Sequence, residues 1–284
     1  MNISIIGIGL LGGSFSLGIQ SVAPGHHFIG VDINQEHCNT ALKLGIVHEI
    51  RSLAQAVKMA DLVVLATPVS VIKHQLIECL NILNDRSILI DLGSTKATFN
   101  GQVNNHPKRS RYVSCHPIAG TENSGPSEAF GNLLKHKMMI ICDKERSDID
   151  AVDTIVDLVK KLEMRIHYME AAQHDRHIAY VSHLSHISSF ALGLTVLEKE
   201  KFEKSIFAMA GSGFSSTVRL AKSSPDMWAP IFMQNSENIS QALDSYIAQL
   251  QLFKQIIDGK DEFKSREMME KANDIRRVLL GLEK

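Results

Sequence analysis

The β-prone run Asn2 to Ile6 leads without a break into Gly7-Ile8-Gly9-Leu10-Leu11-Gly12, and an apolar-periodic stretch from Ser14 to Val22 follows. Strand, glycine turn and helix in that order leave little choice of architecture. The first glycine permits a tight turn and the second lets the backbone approach a pyrophosphate. The third allows the helix to pack closely on the strand, with its N-terminus facing the anion. On its own the GxGxxG spacing is weak, because glycine-rich turns are common. Its neighbours decide what it means.

The next β-prone run, His27 to Asp32, ends in a carboxylate 20 residues beyond Gly12, where the adenosine ribose hydroxyls of a bound dinucleotide would lie. Ile33 and Asn34 follow, with no Arg or Lys to hold a 2′-phosphate, so NAD is expected rather than NADP. An ordinary strand-end turn residue is the other reading of Asp32. Leu62 to Thr67 is a continuous buried-type run, Ser70 to Leu83 has helical spacing, and Ser87 to Asp91 is apolar again. This alternation predicts a Rossmann-type, doubly wound parallel sheet. Thr67-Pro68-Val69 would close one strand at the carboxyl edge, where such sheets bind ligands. These three join Gly7, Ile8, Gly9, Leu10, Leu11, Gly12 and Asp32 as candidate cofactor-binding residues, with simple helix entry as the alternative for residues 67 to 69.

Residues 1 to 23 are uncharged and mostly apolar, which raises a signal peptide or membrane anchor. Gly7, Gly9, Gly12, Gly13 and Gly18 interrupt the run and no Lys or Arg precedes it, so a buried strand and its turn account for it better. With 30 basic and 31 acidic residues, the net charge of -1 gives no electrostatic reason to expect nucleic acid or an acidic membrane as partner. Cys38, Cys79, Cys115 and Cys142 are scattered with no CxxC pair, which predicts buried thiols in a reducing compartment and no zinc site. A cytoplasmic protein is expected. At 284 residues and 44% hydrophobic content, the chain can fill two domains.

A candidate reacting group lies at Cys115-His116-Pro117-Ile118-Ala119-Gly120-Thr121-Glu122-Asn123-Ser124-Gly125. The ordinary pKa of imidazole is close to neutrality, so His116, fixed by Pro117 and followed by a polar turn, suits proton abstraction. A histidine that merely ends a strand would look the same. The preceding strand run, Ser87 to Asp91, closes with Leu92-Gly93-Ser94-Thr95-Lys96. Ser94 is placed to donate to a ligand or to orient His116, or else Ser94 or Thr95 caps the helix from Lys96 to Val103. Runs at Tyr112 to Cys115 and Met138 to Cys142 bracket the loop, and Ile149 to Leu162 with Arg165 to Tyr168 read as a last helix and strand. The first domain, residues 1–168, should end there.

Residues 169–284 read as an all-α domain, with apolar residues at helical spacing through Leu197, from Trp228 to Ile257 and from Phe263 to Leu282. Stripes such as Ile239, Leu243, Tyr246, Ile247 and Leu250 are too wide for one small bundle to bury, which favours pairing with a second copy. His174, His177, His183 and His186 do not suit a metal, since at about 100° per residue the first pair points away from the last. His183 and His186 share a face with Ser182 nearby and could bond a carboxylate or simply be core histidines. Arg219, after the glycine-rich Gly211-Ser212-Gly213, offers a planar fork for a carboxylate.

Taken together these residues resemble the prephenate and arogenate dehydrogenase family, which makes the precursors of tyrosine. The resemblance runs nearly end to end. It rests on GIGLLGGS at 7 to 14, DLGSTK at 91 to 96, HPIAGTENSG at 116 to 125, SHLSH at 182 to 186, and Arg219-Leu220-Ala221-Lys222 leading to Pro225 and Trp228. It implies a Rossmann domain followed by a helical dimerisation domain that entwines with its copy, with the active site between domains. It further implies that His116 is the catalytic proton acceptor and that Ser94 positions both it and the reacting hydroxyl. Arg219 would grip the side-chain carboxylate, His186 would contact the substrate, and Thr121 and Glu122 would sit at the pocket mouth. Ser185 stands where the family usually has proline, and Ser215-Ser216 where an Arg-Asp pair is common.

The expected reaction is NAD-dependent oxidative decarboxylation of prephenate to 4-hydroxyphenylpyruvate. It needs a neutral base and a clamp for two carboxylates, but no metal. The alternatives are arogenate as substrate, which would give tyrosine directly, or a non-catalytic NAD-binding protein that binds a partner through its helical half. Pyrroline-5-carboxylate reductases and β-hydroxyacid dehydrogenases share the opening, but they do not account for His116 and its loop.

Overall fold

The computed structural model describes residues 1–121 and 123–279. Along the first 169 residues, strands β1 (Asn2–Ile6), β2 (His27–Val31), β3 (Glu49–Ile50), β4 (Leu62–Leu65), β5 (Ile88–Asp91), β6 (Tyr112–Ile118), β7 (Met138–Cys142) and β8 (Arg165–Met169) are joined largely by helices. These are α1 (Leu10–Val22), α2 (Gln35–Lys43), α3 (Leu53–Met59), α4 (Val69–Ile82), α5 (Ala97–Val103) and α6 (Ile149–Lys161). The strands form one sheet in the order β3-β2-β1-β4-β5-β6-β7-β8. The order reverses at β1, whose two neighbours are β2 and β4, so the crevice beyond the carboxyl end of β1 is the switch point at which such sheets hold ligands.

The period of two along each strand divides the core in half. Ile3 and Ile5 of β1, Leu62 and Val64 of β4 and Ile88 and Ile90 of β5 enter one cluster with Phe15 and Ile19 of α1 and Ile155 and Leu158 of α6. The alternate residues Ile6, Val63, Leu65 and Leu89 enter the other, against Val57, Ile72, Leu76, Leu80 and Phe99 of α3, α4 and α5. Both faces are covered, as the near-continuous apolar strands require. Ser4 is the polar exception inside β1, and its hydroxyl donates to the Ala56 carbonyl at 2.9 Å. Each fully buried Ile or Leu contributes about 1.5–3 kcal/mol.

Two departures from the sequence reading concern the last strands. The sheet is not wholly parallel, because β7 runs antiparallel to β6. Among its described residues the link between them holds only the short 3-10 turn Pro126–Glu128 and no crossover helix, so the chain turns back beside the strand it has just left. In addition, β6 continues past Cys115 to Ile118, which puts His116 within the ladder opposite Ile140. Parallel pairing resumes between β7 and β8, across α6.

The helices α7 (Ala171–Ile178), α8 (Leu184–Glu200), α9 (Ser212–Thr217) and α10 (Pro225–Gln234) follow, with a π-helical turn, Ala179–His183, between the first two. By contact density these belong with the sheet in a compact unit, Met1–Ser236, and a second unit begins at Glu237. From Ser236 the described residues form α11 (Ser236–Asp258), α12 (Glu262–Ala272) and α13 (Arg276–Leu279), with a turn at residues 259–261. The expected helix from Phe263 is interrupted by a 3-10 turn at Asn273–Ile275, and its end at Leu282 lies outside the described residues.

The turn after β1 shows why glycine is required there. Gly7 has φ of 91°, and a Cβ on it would lie 2.8 Å from the backbone of Ala66 and Thr67 at the end of β4. On Gly12 it would lie 2.2 Å from the carbonyl oxygen of Gly7. Gly12→Ala therefore overpacks backbone against backbone and should lower stability by about 1–3 kcal/mol. Urea denaturation checks this, and an unchanged midpoint would show that the turn opens freely.

Candidate active site

The turn is tight towards the sheet and open on its outer side. Nothing lies within 4 Å of a Cβ built on Gly9, and no side chain caps α1, which Leu10 and Leu11 begin. The amide groups at this helix end are thus available to an anion such as a pyrophosphate. Asp32 follows directly on β2. Its Oδ2 accepts from the Ile8 amide at 3.0 Å and its Oδ1 from the Asn34 amide at 2.9 Å. The carboxylate is thereby tied to the glycine turn, and Nδ1 of His37 lies 3.6 Å from its Oδ2. Thr67 donates to Gln75 at 2.7 Å, Pro68 precedes α4, and the Val69 carbonyl accepts from Gln234 at 3.0 Å. These residues bring the features of a dinucleotide cradle to one sheet edge.

His116 stands two strands further along the same edge. Its Nδ1 lies 2.8 Å from Nε2 of His174, and Nδ1 of His174 lies 2.8 Å from Oδ1 of Asp175. His116 is 8% exposed, and His174 and Asp175 are 2% exposed each. Among the described residues no group bonds Nε2 of His116. The ring partner of His116 is thus His174 and not Ser94, whose buried hydroxyl has no hydrogen-bond partner among the described residues. Nor do Ser94 and Thr95 cap α5. The amides of Lys96 and Ala97 instead donate to the two oxygens of Asp175, at 2.8 and 2.9 Å, and Thr95 donates to Gln234.

Beneath this chain lies a buried ion pair, Lys96 with Asp91, both fully buried. Lys96 Nζ also donates to the Cys115 carbonyl at 2.6 Å, while Asp91 accepts from the Tyr112 hydroxyl at 2.6 Å and from the Gly93 amide at 2.9 Å. Burial first, then the nearby His174, Lys96 and His183, push the His116 imidazole well below its ordinary pKa, so it is neutral at physiological pH.

The π-helical turn and α8 present the remaining histidines. His183 is fully buried, bonds Asn235 through Nδ1 at 3.2 Å, and meets the edge of Trp228 at 5.9 Å between ring centres. His186 stacks on Trp228 at 3.5 Å, and its Nδ1 donates to the Ser182 carbonyl at 2.9 Å. Arg219, exposed on a 3-10 turn, is close enough to lower the His186 pKa, after the larger effect of burial. Thr121 is exposed, its hydroxyl accepting from the Asn123 amide at 3.2 Å. Glu122 lies outside the described residues. Among the described residues the buried Nε2 of His183 and Nε1 of Trp228, like Oγ of Ser94, have no hydrogen-bond partner.

Comparison with known proteins agrees with this arrangement. Residues 15–168 match the family described as prephenate dehydrogenase, nucleotide-binding domain, and residues 170–271 match its dimerization domain. The chain belongs to the prephenate dehydrogenase family. It is 31% identical to prephenate dehydrogenase of Bacillus subtilis over 96% of this chain and 75% of that one. It is 28% identical to cyclohexadienyl dehydrogenase of Zymomonas mobilis over 92% and 89%. Among solved structures, prephenate dehydrogenase from Aquifex aeolicus in complex with hydroxyphenyl propionate and NAD+ superposes with a TM-score of 0.91 at 30% identity, covering 98% of each chain.

Within this family member, sequence reasoning did not single out Asp175, and it weighed His174 only as a possible metal ligand. The signal was the adjacency His174-Asp175 itself, but nothing local says that this pair reaches β6. Among the described residues no group of three or more His, Cys, Asp or Glu is placed to hold a metal ion.

Burial lowers the His183 pKa from its ordinary value to about 4. Between that value and about 6.5 the unfolded chain binds a proton that the folded chain refuses. Stability from this site is therefore fully present above about pH 6.5 and declines as pH falls towards 4, with a slope of up to about 1.4 kcal/mol per pH unit. His183→Gln should remove that part of the slope, as read from urea unfolding at several pH values; an unaltered slope would show that His183 titrates normally.

Proposed function

We propose that this protein catalyses the NAD-dependent oxidative decarboxylation of prephenate to 4-hydroxyphenylpyruvate, a step of tyrosine biosynthesis. Membership of the family makes it an NAD-dependent dehydrogenase, and the residues of the glycine turn with Asp32 suit that cofactor. One observation carries the assignment of the base: His116 is neutral, its Nδ1 is committed to His174, and its Nε2 is left without a described partner. His116 accepts the proton of the ring hydroxyl at Nε2. Ser94, with its unpartnered hydroxyl, bonds the same substrate oxygen. Arg219 grips the side-chain carboxylate, and His183, His186 and Ser182 line the rest of the site beside Trp228. Thr121 lies at its mouth. The cofactor, when bound, supplies the acceptor for hydride from ring carbon 4. Loss of carbon dioxide then restores aromaticity, which supplies the drive.

In this reading residues 1–168 bind the cofactor, and residues 169–284 complete the substrate site and pair with a second copy. The break between the two family matches, at residue 169, supports the division. The homodimer is supported by the exposed apolar residues of α11 and α12, among them Leu250 at 50%, Ile257 at 66% and Phe263 at 78% exposure. The enzyme works in the cytoplasm on a small molecule, without nucleic acid or membrane. Four unpaired, buried cysteines suit a reducing compartment. No described helix is long and apolar enough to cross a membrane.

Formation of NADH should be followed with prephenate and arogenate side by side. Prephenate is expected to be the better substrate by kcat/KM, and a preference for arogenate would reassign the side-chain pocket. His116→Asn should lower kcat by about 10²–10⁴ fold with NAD binding intact; near-normal turnover would remove His116 as the base. Arg219→Ala should chiefly raise KM for the substrate, because the lost contact serves ground and transition states alike. A collapse of NAD affinity with KM unmoved would place the arginine elsewhere.

A further inference from the structure

Every oxygen of Asp175 is engaged. Oδ1 accepts from the Lys96 amide and from His174, each at 2.8 Å, Oδ2 accepts from the Ala97 amide at 2.9 Å, and the backbone oxygen accepts from Asn235 at 2.7 Å. An ionised carboxylate can only accept, so the hydrogen of His174 sits on Nδ1 and its Nε2 holds a lone pair. That lone pair can be met at 2.8 Å only by a hydrogen on Nδ1 of His116. Both tautomers follow from the carboxylate, and with them the free lone pair on Nε2 of His116.

The same surroundings set a difficulty for a proton acceptor. His116 is buried, and the Lys96 ammonium is bonded to the carbonyl of Cys115, the residue before it. A positive charge resting on His116 is disfavoured on both counts. His174 is equally buried but has a carboxylate 2.8 Å away.

We propose that Asp175 is a positioning residue and that His174 relays the proton: as His116 gains one at Nε2, it passes the proton on Nδ1 to Nε2 of His174. This rests on the assignment of His116 as base. In bond terms, the substrate O–H breaks and an N–H forms on Nε2 of His116. The N–H on Nδ1 of His116 breaks, and one forms on Nε2 of His174. The positive charge comes to rest against Asp175. When the ring becomes aromatic the path reverses and the proton returns to the same oxygen, so the protein ends as it began. Because Asp175 also ties down the first amides of α5, one carboxylate holds both the relay and the turn that carries Ser94.

The other ionisable groups around the pair leave Asp175 as its acidic partner. Lys96 is matched by Asp91, which also holds Tyr112. His183 and, beyond it, His186 are held neutral chiefly by burial, and Arg219 lies past His186. Burial raises the thiols of Cys115 and Cys142, so both stay uncharged.

The test uses the full chain as wild type, Asp175→Asn, His174→Gln and the double variant. Histidine ¹⁵N resonances, which need no turnover, should show His116 and His174 as Nδ1–H tautomers in the wild type and a mixed His116 tautomer in Asp175→Asn. With prephenate, Asp175→Asn should lower kcat about 10²-fold or more while KM for NAD stays put. It should also move the acid limb of kcat/KM to lower pH by about one unit or more, because the pair has lost the charge that favoured its protonated form. His174→Gln should cause a similar loss of kcat, and the double variant should be little worse, as for residues acting in one chain. A wild-type tautomer and an unmoved acid limb in Asp175→Asn, with only the melting temperature lowered, would overturn the relay and leave a helix cap. If Asp175→Asn does not fold, an unmoved acid limb in His174→Gln overturns it equally. Absence of wild-type turnover on prephenate would count against the substrate assignment, and the tautomers would still decide the relay.

Discussion

The buried pair of Asp91 and Lys96 is the interaction on which the site depends. Asp91 ends β5 and Lys96 opens the turn into α5, so the pair closes the loop that carries Ser94. Through the Tyr112 hydroxyl and the Cys115 carbonyl it also reaches β6, the strand that carries His116. Removing one partner from such a pair leaves an uncompensated charge in the interior, at a cost of roughly 3–5 kcal/mol. The cost of burying both is offset by the further hydrogen bonds they make to the Cys115 carbonyl, the Tyr112 hydroxyl and the Gly93 amide, groups on or beside the strand that carries His116 and the turn that carries Ser94. An apolar pair of the same volume would hold β5 against β6 without fixing the carbonyl before His116 or the amide of Gly93.

Most of the nucleotide-binding half was legible in the residues. The glycine turn, Asp32 and the alternation of strands with helices are local patterns, and local patterns are what periodicity and turn chemistry report. The direction of β7 was not legible, because it is decided by what the link from β6 lacks, a crossover helix, and not by the strand's own composition. His116 was recognisable as a reactive candidate, yet its setting was not. Its ring partner lies 58 positions away in sequence, and neither His174 nor Asp175 carries a mark that says which strand it will meet. The same holds for α5, whose expected cap was sought in Ser94 or Thr95 next door and is supplied by Asp175 from another helix.

The π-helical turn between α7 and α8 belongs to the same logic. A regular helix would space His174, His183 and His186 by multiples of about 100°, and the wider turn at Ala179–His183 alters that register just before His183 and His186. His174 is thus aimed at β6 while His186 lies flat on Trp228. Such turns are rare and are found mostly where a side chain has to be re-aimed for function. Ser185 keeps its amide at the start of α8, and the chain continues through this region as an unbroken helical run.

Polar atoms left without protein partners carry the last step. Ser94 Oγ, His183 Nε2 and Trp228 Nε1 are buried and unpaired, each at a cost of about 1–3 kcal/mol. Unpaired polar atoms are a poor way to build a core, and in the proposed reading a bound substrate supplies the partners that folding does not. In the proposed reading, the support that runs from Asp91 through Lys96 and from Asp175 through His174 is distinct from the residues whose hydrogen bonds a bound substrate would complete.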